Sequence, residues 1–292
     1  LAANLPIANI GKVDNKGYEL SVNWRDRIHD FRYHIGFNLA YAKNKIVFQD
    51  EVPYPYDYMR KTGKPVGQQM GYKYDGFFSE EDVAKYETER GKSIPDHGTG
   101  YIPKPGDVKY KDLNNDHKID QYDVAAIGYP VYPLLTGGIN LGFSYKGFDF
   151  SMTWSGATKV SRLLDDIFRE PFGATDSRSL MKYMIDDMWT PEKGNSAKAP
   201  AISFTNKVNN YRDSDLWLRD ASYLRLKNVE IGYNFPKKIL SKINIGSLRV
   251  FATGYNLLTL DKLKIVDPES RPNGNAMYPV VMVINMGLKV GF

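Results

Sequence analysis

Apolar and polar residues alternate along several segments of this chain. The alternation is clearest in "GYELSVNW", "FRYHIGFNLAYA", "GGINLGFSYKGFDFSMTWSG" and the final "VVMVINMGLKVGF". Because successive side chains of a strand point to opposite faces of a sheet, this period predicts β-strands with one apolar face. The segments "YLRLKNVEIGY" and "SLRVFATGYNLL" show it too, so the pattern predicts about seven strands and an all-β, antiparallel fold.

One predicted strand does not keep a single alternation. In "YLRLKNVEIGY", Leu224 and Leu226 have the opposite parity to Val229, Ile231 and Tyr233. A regular strand would place these two sets of side chains on different faces of the sheet. The fifth and sixth strands are therefore predicted with less regular faces than the others.

The lengths of the predicted connections alternate between short and long. The short ones cover residues 25–30, 146–147 and 234–246, and the long ones cover residues 43–135, 157–216 and 259–278. In an up-and-down meander, alternate connections lie at the same end of the sheet, so all the long loops are expected at one end. Outer-membrane β-barrels have this arrangement, whereas a soluble β-sandwich has no reason to sort its loops.

Aromatic residues mark both ends of the predicted apolar face. Phe31 and Tyr41 are ten residues apart. At ~3.3 Å per residue and a ~40° strand tilt, this spacing corresponds to a rise of roughly 25 Å along the barrel axis. That rise is about the height of the lipid-facing band of a barrel. Aromatic residues at the short-turn ends are Trp24, Phe31, Tyr33, Tyr145, Phe148, Tyr233 and Phe292, and those at the long-loop ends are Tyr18, Tyr41 and Trp154. These two girdles favour a transmembrane barrel over a sandwich with a dry core.

Composition restricts the function less than the pattern does. The chain is 42% hydrophobic and 25% charged with a net charge of +5, and its lysines and arginines form no basic tract, which argues against nucleic-acid binding. No apolar run reaches the ~18 residues of a transmembrane helix. Without cysteine there is no disulfide or thiolate metal site. The start lacks Met and a signal peptide, so we expect a piece of a longer chain.

Several motifs, in order along the chain, resemble the C-terminal region of the SusC/RagA family of TonB-dependent outer-membrane transporters of Bacteroidetes. They are "NKGYELSVNW", "GDVKYKDLNNDHKIDQYDVAAIG", "LRDASYLRLKNVEIGYNFPKKIL", "LRVFATGYNLLTL" and "YPVVMVINMGLKVGF". The resemblance covers most of the chain except the middles of the long loops.

The resemblance implies a multi-pass outer-membrane barrel of about 22 strands that is filled by an N-terminal plug. It also implies a SusD-like surface lipoprotein as an outer cap and the TonB complex as the source of energy from the periplasm. Residues 1–292 would be the C-terminal portion of such a barrel, because the plug and the TonB box are absent from this sequence.

The last strand also resembles the signal read by the barrel-assembly machinery. That signal is a polar residue, a glycine two positions later, and then a hydrophobic and a final aromatic residue. Asn285, Gly287, Val290 and Phe292 have this spacing. The alternative is an amphipathic last strand with no such role.

The segment "DLNNDHKIDQYD" has the spacing of an EF-hand-like calcium loop. Oxygen ligands at alternate positions wrap a hard cation, and here they would be Asp112, Asn114, Asp116, the Lys118 carbonyl, Asp120 and Asp123. Two departures are His117, where the motif has glycine, and Asp123, which is shorter than the usual glutamate. The alternative is a metal-free turn held by Asx hydrogen bonds. A bound Ca²⁺ would brace the base of the largest loop.

Catalytic chemistry has little support in the sequence. The histidines are His29, His34, His97 and His117, and they form no HExxH or other metal-ligand spacing. No serine lies in a G-x-S-x-G elbow. The chain is therefore predicted not to be an enzyme.

The long loops are predicted to be partly helical. "SEEDVAKYETERG" has Ser79 as an N-cap and Gly91 as a stop, and "SRSLMKYMIDDMW" has helical apolar spacing. Tyrosines in "EVPYPYDYMR" and "GYKYDGFF" suit stacking on sugars or peptide side chains, and equally suit a protein interface.

Together these patterns predict TonB-dependent import of a nutrient across the outer membrane with a SusD-like lipoprotein. An oligosaccharide is the favoured substrate and a peptide the alternative. A non-transport β-rich cell-surface binding module or a passive porin would also fit the strand pattern. Substrate-binding residues are not predicted, but parity places six polar residues on the inward face: Glu19, Asn23, Arg32, His34, Asn38 and Asn140.

Overall fold

A seven-stranded antiparallel sheet contains all the long strands of the chain. The structure, a computed structural model, describes residues 10–172, 179–270 and 280–292. Each long strand pairs with the next along the chain, which makes the sheet an up-and-down meander. The strands are β1 (Lys12–Ile28), β2 (Phe31–Phe48), β3 (Leu135–Tyr145), β4 (Phe148–Thr158), β5 (Tyr223–Asn234), β6 (Ser247–Asp261) and β7 (Val283–Gly291). The predicted number of strands and the all-β class are confirmed.

The predicted sorting of connections is also confirmed. Residues 29–30, 146–147 and 235–246 join strands at one end of the sheet, and residues 49–134, 159–222 and 262–282 join them at the other. Of the last connection, residues 271–279 lie outside the described residues. The first hairpin is tighter than predicted, because β1 continues to Ile28 and the chain reverses at His29 with φ of 53°. We call the two ends the turn end and the loop end.

The apolar residues of the seven strands share one continuous face. The cross-strand pairs Trp24 with Ile35, Ile35 with Leu141, and Leu141 with Met152 carry it from β1 to β4. Many side chains of this apolar face are exposed and do not pack in a core. Met286 of β7, for example, is 86% exposed. A large exposed apolar face is expected of a surface that meets lipid.

The two predicted aromatic girdles are present. At the turn end, Phe31 lies 5.6 Å from Phe143 and 6.3 Å from Tyr145 between ring centroids. Phe148 and Tyr233 continue this girdle at 4.5 Å. At the loop end, the rings of Tyr18 and Tyr41 stack at 5.3 Å.

A bulge in β5 explains its irregular alternation. Leu226 pairs with Trp154 of β4, but Asn228 pairs with Thr153, so Lys227 is an extra residue in β5. A β-bulge of this kind shifts the parity of the strand by one residue. Leu224 and Leu226 therefore lie on the same apolar face as Val229 and Ile231.

The long connections contain short strands and helices. Short strands pair as Met70–Gly71 with Ala125–Ala126, Tyr74–Phe77 with Val108–Tyr110, and Ser161–Leu163 with Leu218–Asp220. The α-helices are α1 (Glu80–Glu89), α2 (Asp166–Arg169), α3 (Lys182–Asp187), α4 (Lys207–Asn210) and α5 (Lys237–Leu240), and the 3₁₀ helices are Asp57–Met59, Gln121–Asp123, Gly194–Ser196 and Ser241–Ile243. Within the described ranges, no helix is long and apolar enough to cross a membrane.

The first predicted loop helix is confirmed together with its cap. Ser79 precedes α1, its hydroxyl accepts the Asp82 N–H at 3.1 Å, and Asp82 accepts the Ser79 N–H at 3.0 Å. This reciprocal pair is a capping box. The second predicted helix is shorter than its pattern, because only Lys182–Asp187 is helical and its first two predicted residues, 177–178, lie outside the described residues.

The two longest connections pack on one another around a shared core. We call residues 49–134, 159–172 and 179–222 the loop cap. Its buried side chains are Phe77, Val108, Tyr110, Ile119, Val160, Leu164, Ala197, Ala199, Tyr211, Leu216, Trp217 and Ala221, joined by Leu263 of the third long connection. Most of the compact packing of this chain is therefore in the loop cap and not in the sheet.

Candidate functional site: the polar face and the loop cap

The face of the sheet opposite the apolar one carries polar side chains. Register places all six residues predicted to face inward on it: Glu19, Asn23, Arg32, His34, Asn38 and Asn140. Asn23 lies opposite Gly36, and Gly36 opposite Asn140, whose amide oxygen accepts the Thr153 hydroxyl at 2.8 Å. A polar face of this kind suits a water-filled lumen when the opposite, apolar face meets lipid.

A charge network crosses three strands of the polar face near the turn end. Arg249 donates from Nε to Asp149 at 3.2 Å and from Nη2 to Glu230 at 2.5 Å. Asn234 donates to the same Asp149 at 2.8 Å. The Arg249 side chain lies across Gly232, where a Cβ atom would be 2.5 Å from its Nη2. A side chain at position 232 would therefore displace the Arg249 guanidinium from this position.

At the loop end, Arg225 ties the connection after β6 to the sheet. The Arg225 side chain is buried, with 1% of its surface exposed. Its Nη2 donates to Asp267 at 2.6 Å and its Nη1 donates to Glu269. Its Nε donates to the Thr259 hydroxyl at 2.9 Å. Glu269 also accepts from Lys227 at 2.6 Å. We call these contacts the Arg225 clamp. It folds residues 262–270 back over the loop end of β5.

The carboxylate of Glu269 depends on this clamp for its charge. Burial alone would raise the pKa of Glu269, but the hydrogen bonds from Lys227 and Tyr223 and the charge of Arg225 outweigh burial and hold the pKa below its usual value. A depressed carboxyl pKa stabilises the folded state at neutral pH, and this contribution is lost as the pH falls through the folded-state pKa.

Two neighbouring asparagines at the end of α4 join the two halves of the loop cap. Asn209 donates to the Val108 carbonyl at 2.8 Å, while Asn210 accepts the Val108 N–H at 2.9 Å and donates to Asp107 at 2.7 Å. Trp217 donates from its indole to the Asn210 carbonyl at 3.0 Å. Asn210, Asp107 and Val108 are each no more than 1% exposed. Buried polar groups satisfied in this way fix one relative position of the two connections.

His97 belongs to the same network and is held in its neutral form. Its Nδ1 is 3.0 Å from the Asn209 side-chain oxygen, and its ring packs against Phe78 and Tyr101. Burial lowers the pKa of His97 to about 4, because the charged imidazolium would lose its hydration.

The loop cap is therefore expected to lose stability in mild acid. Unfolded chains bind a proton at His97 below about pH 6.5, whereas the folded cap takes it up only near pH 4. Cap stability should be constant above about pH 6.5 and fall between about pH 6.5 and pH 4. Hydrogen exchange of residues 70–130 at several pH values measures the stability of the loop cap. His97→Gln should flatten the slope, whereas His117→Gln, at an exposed position, should leave it unchanged. If cap stability fell equally with pH in the wild type and in both variants, His97 would not be the cause of the pH dependence.

Tyrosines form a cluster on the loop cap. Tyr56 stacks on Tyr58 at 5.3 Å with an interplanar angle of 6°, and Tyr122 packs edge-on against Tyr56 at 6.3 Å. The Tyr58 hydroxyl donates to the Tyr122 carbonyl at 2.6 Å. Burial, followed by the charge of Asp123, raises the pKa of Tyr58 to about 12, so this hydroxyl stays protonated. The cluster offers aromatic faces for stacking.

The carboxylates of the predicted calcium loop cap its own backbone. Asp112 accepts the His117 N–H at 2.7 Å, Asp116 accepts the Lys118 N–H at 2.9 Å, and Asp123 accepts the Leu113 N–H at 2.7 Å. His117, where the motif has glycine, has a left-handed φ of 61°. Across the described ranges, no group of three or more histidine and carboxylate side chains is arranged to hold a metal. The calcium site thus stays a prediction.

The residues of the predicted assembly signal lie on both faces of β7. Asn285 pairs with Thr253 and Gly287 with Phe251, both on the polar face. Val290 is on the apolar face, and Phe292 just beyond β7 is 99% exposed. A Cβ atom on Gly287 would lie 2.5 Å from the Phe251 ring, so Gly287 also has a packing role. The assembly signal remains a prediction.

The connecting residues of the loop cap could not be recognised in the sequence. Asn209 and Asn210 contact residues about a hundred positions earlier, and Arg225 contacts residues more than forty positions later. The one available signal was the arginine in "YLRLKN", which lies among apolar residues of a strand. The four histidines serve no common centre. His34 is on the polar face, His97 is in the core of the loop cap, His29 is in a turn, and His117 is in the predicted calcium loop.

The sheet is an amphipathic antiparallel meander. It has an exposed apolar face, two aromatic girdles and all its long loops at one end. These features define a segment of a transmembrane β-barrel wall. Comparison with known proteins agrees. TonB-dependent receptor P3 of Formosa agariphila is 30% identical over 98% of this chain, and TonB-dependent receptor SusC of Bacteroides thetaiotaomicron is 26% identical over 97%. The chain is thus similar over nearly its whole length to TonB-dependent receptors, SusC among them.

Solved structures show the same fold. The RagAB peptide importer in its open-open state superposes with a TM-score of 0.71 over 97% of this chain at 22% identity. No family model matches the chain. The chain spans 29% of the length of receptor P3, 27% of SusC and 29% of the RagAB chain. The curated relatives carry receptor names, in agreement with the prediction that this chain is not an enzyme.

Proposed function

We propose that this chain forms part of the wall and the outer loops of an outer-membrane importer that uses TonB to take up a nutrient. The observation that carries the proposal is the similarity to SusC and receptor P3 over nearly the whole chain. The sheet supports it, because an apolar outer face and a hydrogen-bonded polar inner face suit a wall between lipid and a water-filled lumen.

In the proposed mechanism, the loop cap and a SusD-like lipoprotein capture the substrate at the cell surface. Force from TonB on an N-terminal plug then opens the lumen, and the substrate passes along the polar face. Residues 1–292 would be the C-terminal portion of the barrel, with the plug and earlier strands encoded upstream. Sequencing the whole reading frame and its neighbour tests this arrangement, since a frame without a plug would favour a passive porin.

An oligosaccharide is the favoured substrate and a peptide the alternative. The stacked pair Tyr56 and Tyr58 supports a sugar, because flat aromatic faces suit pyranose rings. The similarity of fold to the RagAB peptide importer supports the peptide. Uptake by the wild-type strain of labelled oligosaccharides and peptides, compared with a deletion strain, decides between them.

The function itself is tested in the native membrane. Deleting the gene, or the host's TonB, should abolish uptake of the substrate, and the full-length protein should be extracted from the outer membrane with heat-modifiable migration in detergent gels. A SusD-like lipoprotein should co-purify with it. Recovery in a soluble fraction without detergent would overturn the proposal in favour of a surface binding module. Uptake that persists without TonB would instead favour a porin.

Deletion of Phe292 tests the assembly signal. We expect the truncated protein to accumulate unassembled in the periplasm, with roughly a tenfold or greater decrease of its amount in the outer membrane. Because Phe292 is 99% exposed, its loss removes little packing from the sheet. Phe204→Ala, which removes a 70% exposed aromatic side chain from the loop cap, serves as the control. Normal assembly of the truncated protein would show that β7 is an ordinary amphipathic strand without an assembly signal.

Calcium at residues 112–123 is part of the proposal as a structural brace. Added Ca²⁺ should protect this segment from hydrogen exchange, and Asp116→Asn combined with Asp120→Asn should abolish the protection. Magnesium serves as the control, because a flexible loop with six or more oxygen ligands prefers the larger ion. Equal exchange with and without Ca²⁺ would establish a metal-free Asx turn.

A further inference from the structure

A groove crosses the apolar face of the sheet near its loop end. Gly137 of β3 pairs directly with Gly156 of β4. Leu39 of β2 pairs with Gly137, and Leu224 of β5 pairs with Gly156. The two glycines therefore form a floor of bare backbone, and the two leucines form the walls on either side. We call the space over Gly137 and Gly156 the glycine groove.

The glycine groove is apolar and has room for an alkyl chain. Its volume is about 200 Å³, and Leu135, Ile139 and Thr158 also line it. The Cδ1 atoms of Leu39 and Leu224 would lie 3.3 Å and 3.2 Å from Cβ atoms placed on the two glycines, so both leucine side chains lean over the floor. A gap in a lipid-facing wall forfeits dispersion contacts unless hydrocarbon fills it. The groove therefore suits an alkyl chain that lies against the wall.

Three lysines lie just beyond the groove, toward the loop cap. Lys16 pairs with Lys43, which lies two residues past Tyr41 and therefore on the same face. The Lys159 Nζ lies over the Tyr41 ring, 5.4 Å from its centroid. Tyr41 in turn pairs with Leu135 at the edge of the groove. We call Lys16, Lys43 and Lys159 the lysine cluster.

The lysine cluster lacks a counter-charge in the part of the chain that the structure describes. All three side chains are exposed, and none forms an ion pair within residues 10–172, 179–270 and 280–292. Asp14, an acid on the same face, lies opposite Lys45. Like charges that face each other on two strands, as on Lys16 and Lys43, repel. An anionic group from outside the described residues would relieve this repulsion.

We propose that the glycine groove and the lysine cluster together bind one phosphate-bearing lipid of the outer leaflet. An acyl chain occupies the groove, and the phosphate contacts the lysines. This inference rests on the proposed function, which places the loop end of the sheet at the cell surface. Tyr41 belongs to the loop-end girdle, and such girdles lie at the membrane interface.

Charge complementarity favours this occupant over the others. Basic side chains at the membrane interface attract anionic headgroups, and the apolar groove directly below them suits the tail of the same molecule. The uncharged acyl anchor of a lipoprotein would fill the groove but leave the lysine cluster without a counter-charge. A second copy of the chain, packed groove to groove, would bring its own lysines against these.

The charge requirement is tested by lipid binding to the full-length protein in detergent. Native mass spectrometry measures the apparent dissociation constants of monophosphoryl lipid A and of the same lipid without its phosphate. Lys159→Gln should weaken binding of the phosphorylated lipid about fivefold, and its combination with Lys43→Gln about twenty-fivefold. Lys146→Gln is the matched control, because Lys146 also has a positive φ and lies over a tyrosine ring, that of Tyr145, but at the turn end.

The groove is tested separately by filling it. Leu39→Trp should cover the glycine floor and weaken binding of the phosphorylated lipid about tenfold, as for the exclusion of about two methylene groups. Leu20→Trp is the matched control, because Leu20 pairs with Leu39 on the same face but lies one strand further from the groove. The glycines are not substituted, since a Cβ atom on Gly156 would lie 2.6 Å from the Tyr223 carbonyl oxygen. Leu39→Phe replaces Leu39→Trp if that protein does not assemble.

The possible results separate the lipid site from its alternatives. Equal affinity for the two lipids, or equal effects of Lys159→Gln and Lys146→Gln, would overturn the inference, because the lysines would then only extend into water at the interface. Unchanged lipid binding by Leu39→Trp would overturn it as well. If that variant instead lost a co-purifying lipoprotein or a dimer, the groove would hold that partner. Recovery of the wild-type protein in a soluble fraction without detergent would overturn the proposed function instead.

Discussion

Replacement of Arg225 by methionine is expected to release residues 262–270 from the sheet. The substitution keeps most of the side-chain volume but removes the cation that holds Asp267 and Glu269, whose side chains are 15% and 23% exposed. Removing one partner of a buried ion pair leaves uncompensated charge and costs about 3–5 kcal/mol. Hydrogen exchange of this segment should therefore accelerate by about a hundredfold or more.

Lys227→Met is the matched control for the Arg225 clamp. Lys227 contacts the same Glu269, but its side chain is 35% exposed, and a pair of this exposure contributes at most about 1 kcal/mol. The control should change exchange of residues 262–270 by less than about tenfold. Equal effects of the two substitutions would mean that the segment is held by other contacts and that Arg225 has no special part.

Trp217→Ala is expected to unfold the loop cap while the barrel stays intact. Trp217 is 3% exposed, lies in the shared core beside Tyr211 at 5.6 Å, and donates to the Asn210 carbonyl. Truncation of a buried tryptophan costs about 3–5 kcal/mol through lost burial and a residual cavity. Here it also leaves a buried carbonyl without its donor, which adds to the loss.

Limited proteolysis of the detergent-solubilised protein measures the effect of Trp217→Ala. Cleavage should appear within residues 159–222, while the heat-modifiable migration of the barrel persists. Phe204→Ala is the control, because Phe204 is in the same connection but 70% exposed. Loss of the barrel together with the cap would show that the two fold as one cooperative unit, contrary to the expectation.

Local pattern was enough to predict the sheet. Period-two alternation located β1 to β7, and the lengths of the connections placed the long loops at one end. Both signals are strong because a strand between lipid and water must alternate at nearly every position. The parity change near Leu226 was visible as well, although its cause, the extra residue Lys227, became clear only from the pairing with β4.

The structure of the loop cap could not be predicted from the same local patterns. Its core joins Val108 to Trp217 and Leu263, residues that are far apart in sequence and belong to no periodic segment. Its polar links, such as Asn210 with Asp107, depend on three-dimensional placement that residue type alone does not indicate. Helix α1 was the exception, because Ser79 and Asp82 signal its start within four residues.

Glycines on the polar face allow large side chains of neighbouring strands to lie close against the sheet. Gly142 lies under His34, Gly232 under Arg249 and Gly287 under Phe251, so each large side chain lies flat across a neighbouring strand. An alanine at any of the three would lift that side chain away from the wall by roughly the thickness of a methyl group. Glycine-to-alanine substitutions would therefore raise the polar surface of the sheet at these three positions without changing its charge.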